Sequence, residues 1–523
     1  MHAASGLPPN LSGLLERAAY PHPVDQVELV ETHISWVLLA GEFAYKIKRP
    51  VRYAFVDLRN AERRRYFCEE ELRLNRRFAP QLYLDVCAIV THDGRARIGS
   101  PGETLEHAVR MRRFDRAEEL DRLLDSHRID PGELEAFGRH LALIHERLPA
   151  ATAGTPWGEP HEIETLVLRN LIEAGDAASI FAAQAEVLSL RDGLQARLDA
   201  ARPWMSARRA NGRIRECHGD LHARNIVRMG TLPVAFDCME FEPAFRWIDV
   251  ADELAFLSSD LIARDRSVHA HAFRAGYLAQ SGDYYACRML PLYQAHRALV
   301  RAKVAALAAR AGEATARAEL AEEHSRLVHW AGEFLIGRRP VMLLMCGLSG
   351  SGKTWLARLL AVRLNAVHLR SDVERKRRAG LEPGAQTSSG LASGLYSREA
   401  SAAVHADLAR YAEDVLTGGL AVIVDATFLH REERARFRAL AARLGLELHV
   451  VHCQVPEAIL RARLAARRRS GHDASEADES VLEWQLRSLE PIAGAEALDT
   501  IEADTTDPRI SEKLLRRLGA VRP

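Results

Sequence analysis

Apolar and polar positions change period several times along the chain, and each change predicts an element. Residues 1–25 read as a short helical lead broken at Pro21 and Pro23. From Val27 to Ile47 the pattern is strand-like, with Trp36–Leu39 and Phe43–Ile47 separated by Gly41. Residues 59–78 take a helical period, strand-like pieces return at 84–90 and 108–114, and 117–208 is mostly helical. A strand–loop–strand segment is predicted over 214–241, with helices following to about residue 333. Within them, the stretch 294–333, rich in Ala, Arg and Glu, predicts a solvated amphipathic helix.

The run Gly337-Arg-Arg-Pro340 breaks this pattern. Beyond it, the apolar run Val341–Met345 predicts a buried strand and Trp355–Ala361 a helix. Further strands are expected at 366–369, 420–424 and 446–455, an order that fits a parallel sheet wrapped by helices. A boundary at this break divides the chain into domains 1–335 and 336–523. No Gly/Ser-rich or Pro-rich linker marks the seam, so the halves are expected to pack together, and no internal repeat relates them.

Composition narrows the class only a little. A chain of 523 residues needs more than one core. Its 71 basic and 71 acidic residues balance, so net charge gives no argument for nucleic acid or membrane. Seven scattered cysteines with no C-x-x-C pair read as buried or free thiols in a reducing cytosol. Neither a signal peptide nor a long apolar span is visible, so a soluble cytoplasmic protein is expected. Oligomeric state leaves no trace in the sequence.

Two constellations carry chemistry. The first fits G-x-x-x-x-G-K-[ST] at Gly347, Gly352, Lys353 and Thr354, between the predicted strand and helix. Its small residues Ser349, Gly350 and Ser351 complete a loop whose backbone N–H groups can turn inward around phosphate oxygens, at a helix N-terminus that favours anions. Lys353 would reach the β- and γ-phosphates of ATP and Thr354 would hold Mg²⁺.

The second lies upstream, where His218, Asp220 and Asn225 have the spacing H-x-D-x-x-x-x-N and Asp237 follows a strand-like Val234-Ala-Phe. In kinase-type phosphoryl transfer, Asp220 would accept a proton from a substrate hydroxyl, while Asn225 and Asp237 would hold Mg²⁺. Lys46, two residues from Ala44 on one strand face, would meet the phosphates, with Lys48 on the same face as its competitor. Glu71 is the expected carboxylate partner of that lysine, against the reading that Glu69–Glu71 line a solvated face.

On Tyr45-Lys46, Cys68–Arg77, His218–Asn225, Phe236-Asp237 and Trp247–Asp252, residues from about 20 to 330 resemble the aminoglycoside phosphotransferase family. More narrowly, the chain resembles bacterial two-domain proteins that fuse such a domain to a P-loop kinase of the zeta-toxin and polynucleotide-kinase type. The resemblance implies an α+β, kinase-like two-lobed domain, with an N-lobe over about 25–112 and a helical C-lobe over about 113–335, followed by an α/β P-loop domain. Two departures stand out: Glu31–Ser35 occupies the turn where kinases carry a G-x-G-x-x-G loop, and no A-P-E run is present.

The resemblance also implies that an acid such as Asp249 or Asp252 supports the catalytic loop, with substrate binding as the other reading. His222 reads as loop packing. In the P-loop half it implies that Asp372 contacts the acceptor as base, unless Ser371 and Asp372 cap a helix, and that Asp425 orients Mg²⁺. Ala426–Phe428 and Arg434 resemble a substrate-side segment. Arg461, Arg463 and Arg467–Arg469 read either as a lid over the transferring phosphate, with Arg463 and Arg467 on one face, or as a solvated basic helix.

The function implied is transfer of the γ-phosphoryl group of MgATP to hydroxyls of small molecules at two nucleotide sites. The rivals are a regulatory nucleotide-binding protein with a P-loop switch, and a nucleic-acid 5′-hydroxyl kinase in the C-terminal half, for which only the arginine patch speaks.

Overall fold

A computed structural model describes residues 6–53, 56–99, 101–312, 314–337, 339–382, 398–470 and 479–519, with the side chains of 314, 315, 467–470 and 495 outside that description. The chain forms two compact units. One comprises Met1–Glu133, Ile144–Glu162 and Ser206–Asp260; the other comprises Leu134–Leu143, Ile163–Met205 and Leu261–Pro523.

The first unit is built on six antiparallel strands: β1 (Val27–Glu31), β2 (Ser35–Ala40), β3 (Phe43–Lys48), β4 (Tyr83–His92), β5 (Arg95–Ile98) and β6 (Glu103–Arg112), in the order β1-β2-β3-β6-β4-β5. Alternation on β3 sets its faces. Tyr45 and Ile47 pack with Trp36, Leu38 and Ala108 on one side. Ala44 turns to the other, where it meets Val109, Met111, Val227 and Val234. Lys46 and Lys48 follow Ala44 at intervals of two residues, so they share its face. Helix α1 (Ala61–Asn75) packs beneath this sheet, started by the Asn60 side chain accepting from Arg63 N. The hairpin β7 (Ile226–Met229) and β8 (Leu232–Ala235) delivers Asn225 at its start and Asp237 just past its end. Helix α2 (Val250–Ala263) follows, closing this unit at Asp260.

The second unit joins helices to a five-stranded parallel sheet. Its helices include α3 (Ser267–Ser281), α4 (Leu290–Ala311) and α5 (Ala314–Ile336). The strands are β9 (Val341–Cys346), β10 (Val367–Arg370), β11 (Val422–Asp425), β12 (Glu447–Gln454) and β13 (Thr500–Asp504), ordered β10-β11-β9-β12-β13. Around them lie α6 (Lys353–Leu364), α7 (Ser371–Arg378), α8 (Arg398–Thr417), α9 (Glu457–Ser470), α10 (Glu479–Ser488) and α11 (Ile510–Arg517). On one face of the sheet Leu343, Met345, Ile423, Val451 and Ile501 pack against Leu356, Leu360 and Leu514, and the other face carries Met342, Leu344, Val422, Val424 and Val450, also buried.

One expectation fails here. The stretch 294–333 is not a solvated helix but most of a helical hairpin that breaks near Gly312, with α4 largely buried. Its alanines 295, 298, 302, 305 and 306 are covered, because small side chains let a neighbouring helix approach closely. Buried Arg301 pairs with Glu323 at 3.1 Å, while Arg310, Arg317, Glu319, Glu322 and Arg326 face water as expected. No described helix is long and apolar enough to cross a membrane.

Candidate functional site

In the first unit the β3 lysines meet the carboxylates of α1 and the segment after β8. Lys46 Nζ donates to Glu71 Oε1 at 2.8 Å and to Asp237 Oδ1 at 2.5 Å. Lys48 Nζ donates to Glu71 Oε2 at 2.5 Å and also to Glu240. Both lysines therefore hold Glu71, and Lys46 alone of the two reaches Asp237. Burial opposes charge on Lys46, but Asp237 and Glu71 outweigh it and hold the ammonium charged well above the ordinary range. Glu71 is likewise penalised by burial, and the two lysines overcome that and push its carboxyl down. Glu240 goes the other way: burial, only partly offset by Lys48, raises it to about 7.

The loop residues are drawn to the same place. Asn225 Nδ2 donates to Asp220 Oδ2 at 3.0 Å and to Asp220 O at 2.9 Å. Phe236 N donates to Asn225 O at 2.9 Å, and the His218 Nε2–Phe236 O pair at 2.8 Å ties the two arms together. Asp237 adopts φ +65°, a left-handed conformation that costs a non-glycine residue about 1 kcal/mol or more. The Tyr83 hydroxyl on Asp237 N, at 3.1 Å, and Lys46 on its carboxylate hold it there. Beside this charged cluster, Leu39, Ala44, Phe114, Met229 and Phe236 form an apolar wall, with the Phe114 and Phe236 rings 5.2 Å apart. Leu39 and Phe114 also line an open cavity of about 700 Å³ bounded by Gly41, Glu42 and Arg112–Arg116.

An acid the sequence reading did not single out braces the 218–220 loop: the Glu253 carboxylate accepts from His218 N at 3.0 Å and Gly219 N at 2.7 Å, and pairs with His145 at 2.9 Å. Burial would raise its carboxyl, yet His145, His218 and the backbone bond bring it down to about 2. Asp260 adds a bond from Ala223 N at 2.9 Å. Asp249 instead forms a buried two-point ion pair with Arg208, at 2.6 and 2.7 Å. Glu253 and Glu240 were missed because nothing in local spacing separates one acid of Asp252-Glu253 from the other, or marks Glu240 as Lys48's partner. His222 packs edge-on against Phe256, 5.7 Å between ring centres, with Nε2 3.4 Å from Asp220 Oδ2.

In the second unit β9 feeds the glycine-rich loop into α6. Gly347 has φ +136°, and a Cβ there would lie 2.5 Å from Cys453 O, so only glycine fits. Thr354 Oγ1 donates to Asp425 Oδ2 at 2.7 Å, so strands β9 and β11 bring the loop threonine onto the strand-end acid. His368 Nε2 lies 3.1 Å from the same oxygen. Burial would raise the Asp425 carboxyl, but His368, Lys353 and Thr354 lower it. Lys353 Nζ donates to Leu348 O at 2.8 Å, and burial lowers its pKa.

Several residues stand elsewhere than expected. Ser371 and Asp372 are not caps: α7 begins at Ser371, and Arg370, the cap, makes no side-chain capping bond. Arg434 is fully buried and binds Phe428 O at 2.9 Å and Glu496 at 3.0 Å, which removes it from any substrate face. Arg461 pairs with Glu457 at 2.7 Å. Arg463 is neither an open lid nor solvated: it donates to Gly350 O at 3.2 Å and Thr505 Oγ1 at 2.9 Å, bracing the loop from outside. The Arg467 side chain lies outside the described residues. Sequence reasoning missed Gln485 on α10, which accepts from Ser349 N at 2.8 Å and donates to Ser349 Oγ at 3.0 Å.

Two family models match separate stretches of the chain. The model described as the Phosphotransferase enzyme family matches residues 44–299, and one described as an AAA domain matches 342–492. An uncharacterized protein of Mycobacterium tuberculosis (strain ATCC 25618 / H37Rv) is 31% identical over 463 residues, 87% of this chain and 89% of its own. An uncharacterized protein of Mycobacterium bovis matches to the same extent. Among solved structures, a gluconokinase from Sinorhizobium meliloti 1021 is 23% identical, with 35% of this chain and 93% of that chain covered at a TM-score of 0.26. With kinase-like elements in one match and a P-loop on a parallel sheet in the other, the chain belongs to the same family as these mycobacterial proteins, a phosphotransferase-family domain joined to a P-loop kinase domain.

Proposed function

We propose that the chain is an ATP-dependent phosphotransferase with two nucleotide sites, each passing the γ-phosphoryl group of MgATP to a hydroxyl of a small molecule. The working division is a kinase-like part over 1–335 and a P-loop kinase part over 336–523. The carrying observation is that Lys46 is bonded by Glu71 and Asp237 at once while Asn225 holds Asp220, a set of polar groups that suits such a transfer.

In the first site Asp220 takes the acceptor proton as the acceptor oxygen bonds to the γ-phosphorus and the bond to the bridging β–γ oxygen breaks, releasing ADP. Lys46, kept charged by its two carboxylates, meets the phosphates; Leu39, Phe114 and Phe236 offer the base an apolar slot. Asn225 and Asp237 are the oxygen donors for Mg²⁺, which would neutralise charge on the transferring group. In the second site Gly347, Ser349, Gly350, Ser351, Gly352 and Lys353 form the phosphate cradle. Thr354 and Asp425 hold Mg²⁺, and Asp372 is the acceptor base. Arg463 serves by shaping the loop. Seven free cysteines support a cytoplasmic setting.

The test uses the full chain with Asp220→Ala and Lys353→Ala, assayed for phosphate transfer from ATP to pools of sugars, aminoglycosides, nucleosides and 5′-hydroxyl oligonucleotides. Each variant is expected to abolish one set of transfers and spare the other. Activity on every acceptor left intact by Asp220→Ala would sink the first site, and intact activity in Lys353→Ala would sink the second.

A further inference from the structure

Helix α10 reaches into the phosphate loop. Its inner face carries Leu482 and, one turn on, Gln485. Leu482 is fully buried among Leu460, Leu464, Leu348 and Val455, which seats the helix against the loop and against α9. That seat carries the Gln485 amide to Ser349, where it is only 4% exposed. Its oxygen accepts from Ser349 N at 2.8 Å and its nitrogen donates to Ser349 Oγ at 3.0 Å. A buried amide matched on both ends is a specific two-point clamp, since leaving either end unmet is costly.

The clamp does not act alone. Thr505 Oγ1 donates to Ser351 O at 2.7 Å, and Arg463 donates to Gly350 O and to Thr505. Three consecutive loop residues, Ser349, Gly350 and Ser351, are thus held by side chains from α9, α10 and the end of β13. A glycine-rich loop left to itself spends conformational entropy when it closes round phosphates. Held in advance, it binds without that cost.

We propose that Gln485 is a positioning residue of the P-loop site: it fixes Ser349 from α10 and so presets the loop for the nucleotide's phosphates. The inference rests on the P-loop reading above and adds a residue outside the motif to it. With Ser349 N bonded to Gln485, Ser349 contributes to the cradle by shaping it, and the neighbouring N–H groups of the loop face the phosphates.

The experiment measures binding of fluorescent MgADP and a non-hydrolysable MgATP analogue to the full chain, with Lys353→Ala identifying the signal that belongs to the P-loop. If Lys353→Ala leaves all binding intact, the P-loop reading itself fails and the test stops there. Otherwise Gln485→Leu, which removes both hydrogen bonds at similar volume, is expected to weaken both nucleotides about tenfold. Gln485→Glu keeps the acceptor for Ser349 N but loses the donor and adds charge beside the phosphates, so a larger loss is expected. Ser349→Ala removes the hydroxyl without touching α10, and combined with Gln485→Leu its effect should be strongly non-additive. Melting temperatures report whether each variant folds, and Ser349→Ala carries the test if the α10 variants do not. Unchanged affinity in Gln485→Leu and Ser349→Ala overturns the proposal. So does tighter binding, which would make Gln485 a competitor of the nucleotide.

Discussion

Replacing Glu253 with alanine isolates the support of the catalytic loop from the loop itself. The carboxylate accepts two backbone N–H groups, His218 N and Gly219 N, and pairs with His145, all in buried surroundings. Its loss strands both donors. At about 1.5 kcal/mol for each unmet buried donor, the loop is destabilised by about 3 kcal/mol, roughly a hundredfold in the opening equilibrium. Glu253→Gln keeps one accepting oxygen but turns an N–H₂ group toward a donor, so about half of that loss is expected. Native-state hydrogen exchange of the peptide spanning 216–226 reads this local opening, which global melting of a two-unit chain would blur. Phosphate transfer dependent on Asp220 should fall in the same order, because Asp220 follows Gly219 directly. Protection of that peptide unchanged in Glu253→Ala would refute the reasoning, since it would mean the two N–H groups never depended on the carboxylate.

Two further outcomes test other parts of the structure. Arg208→Leu removes the counter-ion of buried Asp249 and should cost about 3–5 kcal/mol in chemical denaturation; a loss under about 1 kcal/mol would contradict the buried pair. His271 is driven down from 6.5 to about 3, chiefly by burial. Acid protonates it in the unfolded chain before the folded one, so stability is intact above pH 6.5 and lost progressively as pH falls toward 3, by about 1.4 kcal/mol for the first full unit. His271→Asn should flatten that part of the profile measured by urea unfolding at several pH values.

What the sequence discloses follows its local rules. The strand–loop–helix at Gly347–Thr354 and the H-x-D-x-x-x-x-N spacing at His218–Asn225 are each written within a dozen residues, and both stand on the elements expected of them. The partners that belong to no motif were the ones missed. Glu240 meets Lys48 across 192 residues of chain, and Gln485 meets Ser349 across 136. Neither belongs to a motif, so only the fold reveals it. Stretch 294–333 misled for a related reason: a pattern of alanine and charge describes a wet helix and a tightly packed one equally well, and burial of α4 depends on its neighbours.

The seam seen in the sequence at residues 337–340 also differs from the seam in the packing. Within the second unit, Arg274 donates to Asn365 Oδ1 at 2.7 Å, Tyr284 to Glu374 at 2.8 Å, Arg288 to Asp414 at 2.8 Å, and Arg377 to Gln280 O at 2.8 Å. Gly418 lies so near Cys287 that a Cβ would fall 2.1 Å from its carbonyl oxygen. Had the chain arisen by joining two genes, these contacts would have made the union hard to reverse. A P-loop half split off at residue 336 would lose the Arg288 partner of Asp414 and the Tyr284 hydroxyl on Glu374, and the helices left behind would lose the groups that Arg274 and Arg288 bind. Cutting the chain at the sequence seam would therefore break a packed core rather than free two finished domains.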